Sequence, residues 1–159
     1  KAAGVDAMYL GGYHTEAGLL VRQSREQGLN ALLVSGDALV TDEFWKITGP
    51  AGQGTLMTFA PDPRKLKTAE DVVKKFKAAN YDPEGYTLYT YAAFQMYKQA
   101  AEAVKANDNQ KIAEWLRAGN TTKTVLGDIT LDNKGDIVNP VYVWYNFKDG
   151  NYAEVPDMK

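Results

Sequence analysis

Gly11-Gly12-Tyr13-His14-Thr15-Glu16-Ala17-Gly18 and Leu33-Val34-Ser35-Gly36-Asp37 each close a short apolar run of β type, over residues 5–10 and 31–34. Between them lies an amphipathic stretch with Ala17, Leu20 and Val21 at helical spacing. A strand, a glycine turn, a helix and a second strand make a βαβ unit. In open α/β sheets the ligand crevice lies beyond the carboxyl ends of the strands. Tyr13 and Asp37 are therefore expected at one crevice mouth, where a phenol and a carboxylate suit a small cationic or zwitterionic ligand.

The spacing continues this pattern outward. Thr15 is the expected N-cap of a helix running to about residue 27, with Gly28 as its stop. Thr41 is expected to cap a short helix to about residue 47, followed by a third strand over 54–59. Ala60-Pro61-Asp62-Pro63-Arg64-Lys65 reads as a linker, because two prolines in three residues forbid ordinary helix or ladder pairing. Thr68-Ala69-Glu70-Asp71 resembles a capping box for a helix to about residue 80. Helices over about 86–105 and 110–118 follow, then β-type runs over 125–131, 138–147 and 152–155. Asp132-Asn133-Lys134-Gly135 and Lys148-Asp149-Gly150 punctuate those runs as hairpin turns. Lys1-Ala2-Ala3-Gly4 reads as the last turn of a helix closed by glycine, so the chain is expected to enter in the middle of a fold.

Composition narrows the chemistry. The 159 residues carry a net charge of −2 with interspersed signs, which gives no electrostatic case for nucleic acid. No apolar stretch is long enough for membrane insertion by a helix. Cysteine is absent and His14 is the single histidine, which removes disulfides, thiolate catalysis and His-rich metal sites. No metal, cofactor or catalytic residue is expected. Trp45, Trp115 and Trp144 read as packing residues, and the charged stretch 70–77 as a solvated helix face.

The GGYHTEAG stretch, the helix with Arg22-Gln23, Val34-Ser35-Gly36-Asp37, Tyr89-Thr90-Tyr91-Ala92-Ala93 and Thr130-Leu131-Asp132-Asn133-Lys134-Gly135-Asp136 occur in the order of one family. Together they resemble the periplasmic amino-acid-binding proteins of the leucine/isoleucine/valine type, which serve ABC transporters. The resemblance implies a type I periplasmic-binding-protein fold, α/β with two Rossmann-like lobes, of which this chain would contribute parts of both as a C-terminal half. It implies residues 1–60 in the C-terminal lobe, a hinge crossing at 61–64, residues 65–139 in the N-terminal lobe and a return over 140–159. It also implies capture of a small neutral amino acid, branched-chain or like alanine, proline or 4-aminobutanoate, in the cleft between lobes. An ABC permease would receive it, in the periplasm.

By the same resemblance Asp37 matches an acidic position that accepts hydrogen bonds from the ligand ammonium. Tyr13 matches an aromatic that covers the ligand, and Tyr86 an aromatic on the opposite lobe. Read from the residues alone, Asp37 is more often a turn aspartate, Tyr13 also fits a strand-end packing residue and Tyr86 fits one of a core stripe with Tyr89, Phe94, Met96 and Tyr97. Two other classes stay open: a flavodoxin-like α/β enzyme using Tyr13, His14 and Asp37, and the ligand-sensing lobe of a receptor. Strands lacking neighbours would need a complement, either an N-terminal fragment or a domain-swapped copy.

Overall fold

The computed structural model describes residues 2–156 and 158, and the chain divides into two compact units, Lys1–Pro61 with Val141–Lys159, and Asp62–Pro140. In the first unit β1 (Ala7–Leu10), β2 (Leu32–Ser35) and β3 (Leu56–Phe59) run parallel. The hairpin of β6 (Val143–Lys148) and β7 (Asn151–Glu154) adds antiparallel to β3, giving the order β1-β2-β3-β6-β7. The hairpin turn is the two-residue Asp149-Gly150, both at positive φ of 50° and 90°, the geometry that matches strand twist.

Helix α1 (His14–Glu26) and helix α2 (Asp42–Thr48) connect the parallel strands and pack side by side. Successive right-handed crossovers in one direction put both helices on one face of the sheet. That face carries Leu33, Ser35, Met57, Phe59, Tyr145 and Phe147, all buried. The Phe44 ring of α2 lies 5.1 Å from that of Phe147, and Trp45 stacks on Phe147 at 6.0 Å. Arg25 closes the end of α1 by donating to the carbonyls of Leu29 and Ala31, at 2.7 and 2.8 Å. The alternate residues Tyr9, Leu32, Val34, Leu56, Thr58, Trp144 and Asn146 are exposed or half-buried, so the other face is open.

The second unit holds α3 (Glu70–Ala78), α4 (Thr87–Val104) and α5 (Asn109–Arg117) with a hairpin of β4 (Thr121–Thr124) and β5 (Gly127–Thr130). Its core is Ala69, Val73, Leu88, Ala92 and Val125, flanked by Val72, Phe76 and Leu126. The side-chain amide of Gln99 both donates to the Lys123 carbonyl and accepts from the Lys123 amide, so α4 satisfies part of the β4 edge.

Several expectations are corrected. Helix α1 starts at His14 with Tyr13 as its N-cap, because the Tyr13 carbonyl already accepts the Ala17 amide; Thr15 lies inside the helix. Thr68 is no capping-box residue, since its hydroxyl donates to the Val125 carbonyl at 2.7 Å and α3 begins without a side-chain cap. Asp108 caps α5 instead, accepting from the amides of Gln110 and Lys111. The β-run over 138–147 shortens to Val143–Lys148, because Asn139 is left-handed (φ 58°) and Pro140 cannot donate to a ladder. The run over 125–131 splits: Val125 and Leu126 form the turn between β4 and β5. Around Asp132-Asn133-Lys134-Gly135 the pairing is a single bridge, Leu131 to Ile137. Ala2 and Ala3 form a turn, Gly4 has φ 64°, and Lys1 lies outside the described residues.

Gly18 is where α1 and α2 approach most demandingly. A Cβ there would stand 2.7 Å from Ile47 Cγ2 and 3.0 Å from its Cβ, atoms of a β-branched side chain that cannot swing away. Gly18→Val is therefore expected to destabilise the chain by about 1–3 kcal/mol through overpacking. Urea unfolding measures it, and Ile47→Ala in the Gly18→Val background should recover part of the loss.

Candidate functional site

The carboxyl ends of β1 and β2 lie side by side, with Leu10 opposite Ser35 in the parallel register. The Ser35 hydroxyl donates to the Leu10 carbonyl at 2.7 Å, and Ser35 is 1% exposed. This ties together the two points from which the glycine turns depart. After β1, Gly11 and Gly12 lead to Tyr13, extended at φ −88° and ψ 165°, and α1 begins. After β2, Gly36 leads to Asp37, which opens a 3-10 turn over Asp37–Leu39 anchored by the fully buried Leu39.

Between these turns is a cleft of about 340 Å³ lined by Tyr9, Gly11, Gly12, Tyr13, Gly36, Asp37 and Ala38. Tyr13 and Asp37 thus line one cleft, as the βαβ reading expects. Small glycines make the room: a Cβ at Gly11 would stand 4.0 Å from the Tyr9 ring. Tyr13 is 73% exposed and Tyr9 75%. Asp37 is exposed too, so its carboxylate is hydrated rather than buried as a turn anchor. The cleft has the size of a small-molecule site, and it offers phenol hydroxyls, a carboxylate and apolar ring faces.

Two contributors escape a reading of the sequence alone. Tyr9 is hidden within the apolar run of β1 and reads there as core. Ser35 reads as part of a turn, although its position two residues after Leu33 puts it in phase with the buried face. That alternation was the available signal.

His14 is half-buried at the first position of α1. Its charge acts on Glu43, whose carboxyl is held below the usual range first by the hydrogen bond from Lys46 (2.6 Å), then by the Lys46 charge and least by His14. His14 does not line the cleft of Tyr13 and Asp37. The constellation Tyr13, His14 and Asp37 is therefore not assembled around that cleft. Among the described residues no group of His, Asp and Glu has a metal-holding arrangement.

Tyr86 belongs to the second unit, where it is the N-cap of α4 and 49% exposed. The loop before it, residues 81–85, turns at Gly85 with φ 54° and is anchored by fully buried Pro83. Of the aromatic stripe on α4, Phe94 is 72% exposed, so that stripe is only partly core.

The chain is similar to known proteins along nearly its whole length. A family model described as periplasmic binding protein matches residues 1–151. Leu/Ile/Val-binding protein homolog 1 of Brucella suis biovar 1 (strain 1330) is 49% identical over 150 residues, covering 94% of this chain and 40% of the relative. The amino acid binding protein of Pseudomonas aeruginosa PAO1 is 45% identical over 159 residues, covering 98% of this chain and 42% of the relative. A leucine binding protein from Thermotoga maritima MSB8 superimposes with a TM-score of 0.82 at 28% identity, over 94% of this chain and 43% of that one. The branched-chain amino acid transporter substrate binding protein of Streptococcus pneumoniae, solved with isoleucine, has a TM-score of 0.75 at 19% identity, over 94% of this chain and 45% of that one, and shows likeness of fold. The chain spans about two fifths of the length of the curated relatives it matches. With a family match along nearly its whole length and the same α/β architecture, the chain belongs to the periplasmic binding protein family and has its type I fold.

Proposed function

We propose that this chain contributes to capture of a small neutral amino acid, with Asp37 accepting hydrogen bonds from the ligand ammonium and Tyr13 covering the ligand. The observation that carries the reading is the cleft lined by both side chains at the ends of β1 and β2. An ammonium leaving water needs an anionic acceptor, and charge-assisted hydrogen bonds are the strong ones. Tyr86 is assigned to the ligand side chain. The relatives named Leu/Ile/Val-binding proteins support a branched-chain ligand, with alanine, proline and 4-aminobutanoate as the other candidates. The family is one of substrate-binding proteins, not of enzymes, and implies a periplasmic or extracellular location. We assign this protein to the periplasm, with an ABC permease as the recipient of its ligand.

The open sheet face and the edge of β1, unpaired among the described residues, support a further element of this reading. Parallel sheets are ordinarily covered on both faces. The cover is assigned to polypeptide equivalent to the part of the relatives outside the match.

Two measurements test the proposal. Calorimetric titration with the candidate amino acids, on the chain alone and with its complement, is expected to show saturable binding without turnover. Asp37→Ala should weaken it by about 1.5–3 kcal/mol, roughly ten- to a hundredfold. Turnover of a ligand, or no amino acid binding in either form, overturns the reading. Solution mass should exceed the 17.5 kDa of one chain when the complement is present. A well-folded monomer that takes up no complement removes the assignment of the cover.

A further inference from the structure

Residues 81–85 connect α3 to α4 and deliver the chain to Tyr86. Within this loop the Glu84 amide donates to the Asp82 carbonyl at 2.8 Å, and the Thr87 amide to the Glu84 carbonyl at 3.2 Å. Tyr81 lies against Phe76 at 5.7 Å, and its hydroxyl meets that of Thr87 at 3.1 Å. The loop is also gripped from elsewhere in its own unit. Arg64 Nη1 donates to Asp82 Oδ2 at 2.5 Å. The same guanidinium holds Asp62 through Nε, at 2.9 and 3.2 Å, and through Nη2 at 2.9 Å. Asp62 Oδ1 in turn accepts the Arg64 amide at 3.0 Å, capping the short turn Pro63–Lys65.

The Arg64–Asp62 contact is more sheltered than an ordinary surface pair, whereas Asp82 is 54% exposed. The side chains of Arg64 and Asp62 are only 24% and 16% exposed, and the contact to Asp62 is the two-pronged arrangement that fixes geometry as well as charge. Asp62 is also the residue at which the chain enters the second unit. One side chain therefore joins that entry point to the loop that presents Tyr86.

We propose that Arg64 is a positioning residue: by holding Asp82 from Asp62, it sets the conformation of loop 81–85 and so the placement of Tyr86 for ligand contact. The last step rests on the assignment of Tyr86 above; the tie between entry point and loop does not. Burial pushes the Asp62 carboxyl up, but the hydrogen bonds and charge of Arg64 outweigh it and leave it below its ordinary range. A carboxyl lowered on folding stabilises the fold above its unfolded value and loses that contribution as pH falls through the folded value. The Arg64–Asp62 contact therefore contributes in full at neutral pH and is lost only as acid protonates Asp62.

Amide hydrogen exchange and amino-acid titration on the full chain, in parallel, test the proposal. Arg64→Met and Asp82→Asn should each speed exchange at Glu84 and Thr87 by about tenfold, while amides of α5 keep their rates. Asp82→Glu should restore most of the protection. Each disrupting variant should also weaken binding of the best amino acid about fivefold or more, and Arg64→Met should add nothing in a Tyr86→Ala background. Unchanged exchange in the loop overturns the proposal, as does a rise shared equally by α5, which marks a general loss of stability. Additive losses with Tyr86→Ala overturn the route through Tyr86. If the unsubstituted chain binds no amino acid, alone or with its complement, while loop exchange still responds, the ligand assignment fails and the tie is upheld.

Discussion

The hydroxyl of Ser35 carries a disproportionate share of the first unit's geometry. It donates to the last carbonyl of β1 from the last residue of β2, and Ser35 itself is buried. Strand β1 is a sheet edge with β2 as its ladder partner, so its carboxyl end has few ways to be held. A buried hydroxyl left without a partner costs about 1–3 kcal/mol, which makes this bond hard for Ser35 to give up. Both glycine turns leave from this pinned point. The separation of Tyr13 from Asp37, and with it the cleft, depends on it.

The cleft can open at those turns because the helices are elsewhere. Both crossovers deposit α1 and α2 on one face of the sheet, where Gly18 lets them close on Ile47 and Phe44 reaches Phe147. Tyr13 and Asp37 stand at the strand ends, outside this packed layer, and keep their exposure. Packing therefore fixes the backbone on which they stand without burying the side chains themselves. The same one-sided arrangement leaves Tyr9 and Leu32 uncovered on the opposite face.

How much of this was legible follows from how local each cause is. The parallel strands and their helices could be read because apolar runs and glycine stops act over a few residues, and the Tyr13–Asp37 pairing followed from topology. Strand β4 was missed because its buried positions are Thr122 and Thr124, whose hydroxyls are satisfied by the carbonyls of Ile129 and Gly127 instead of by water. Thr15 and Thr68 look like caps by spacing, yet the Tyr13 carbonyl and the Val125 carbonyl take the bonds that decide those helix starts. The grip of Arg64 on Asp82 spans 18 positions and has no local signature at all.

Ser35 and Arg64 solve one problem in two units. On the function proposed above, Tyr13 and Tyr86 must be open to water before the ligand arrives, and yet their backbone must not wander, since ordering a loop on binding subtracts from affinity. Tyr13 is 73% and Tyr86 49% exposed, and each follows a turn held by a polar contact a few residues away. In the first unit the fastening is a buried hydroxyl, neutral and insensitive to salt. In the second it is an ion pair whose Asp82 end is 54% exposed, so screening reaches it. The second turn is thus the more easily loosened of the two, and ionic strength is the variable that distinguishes them.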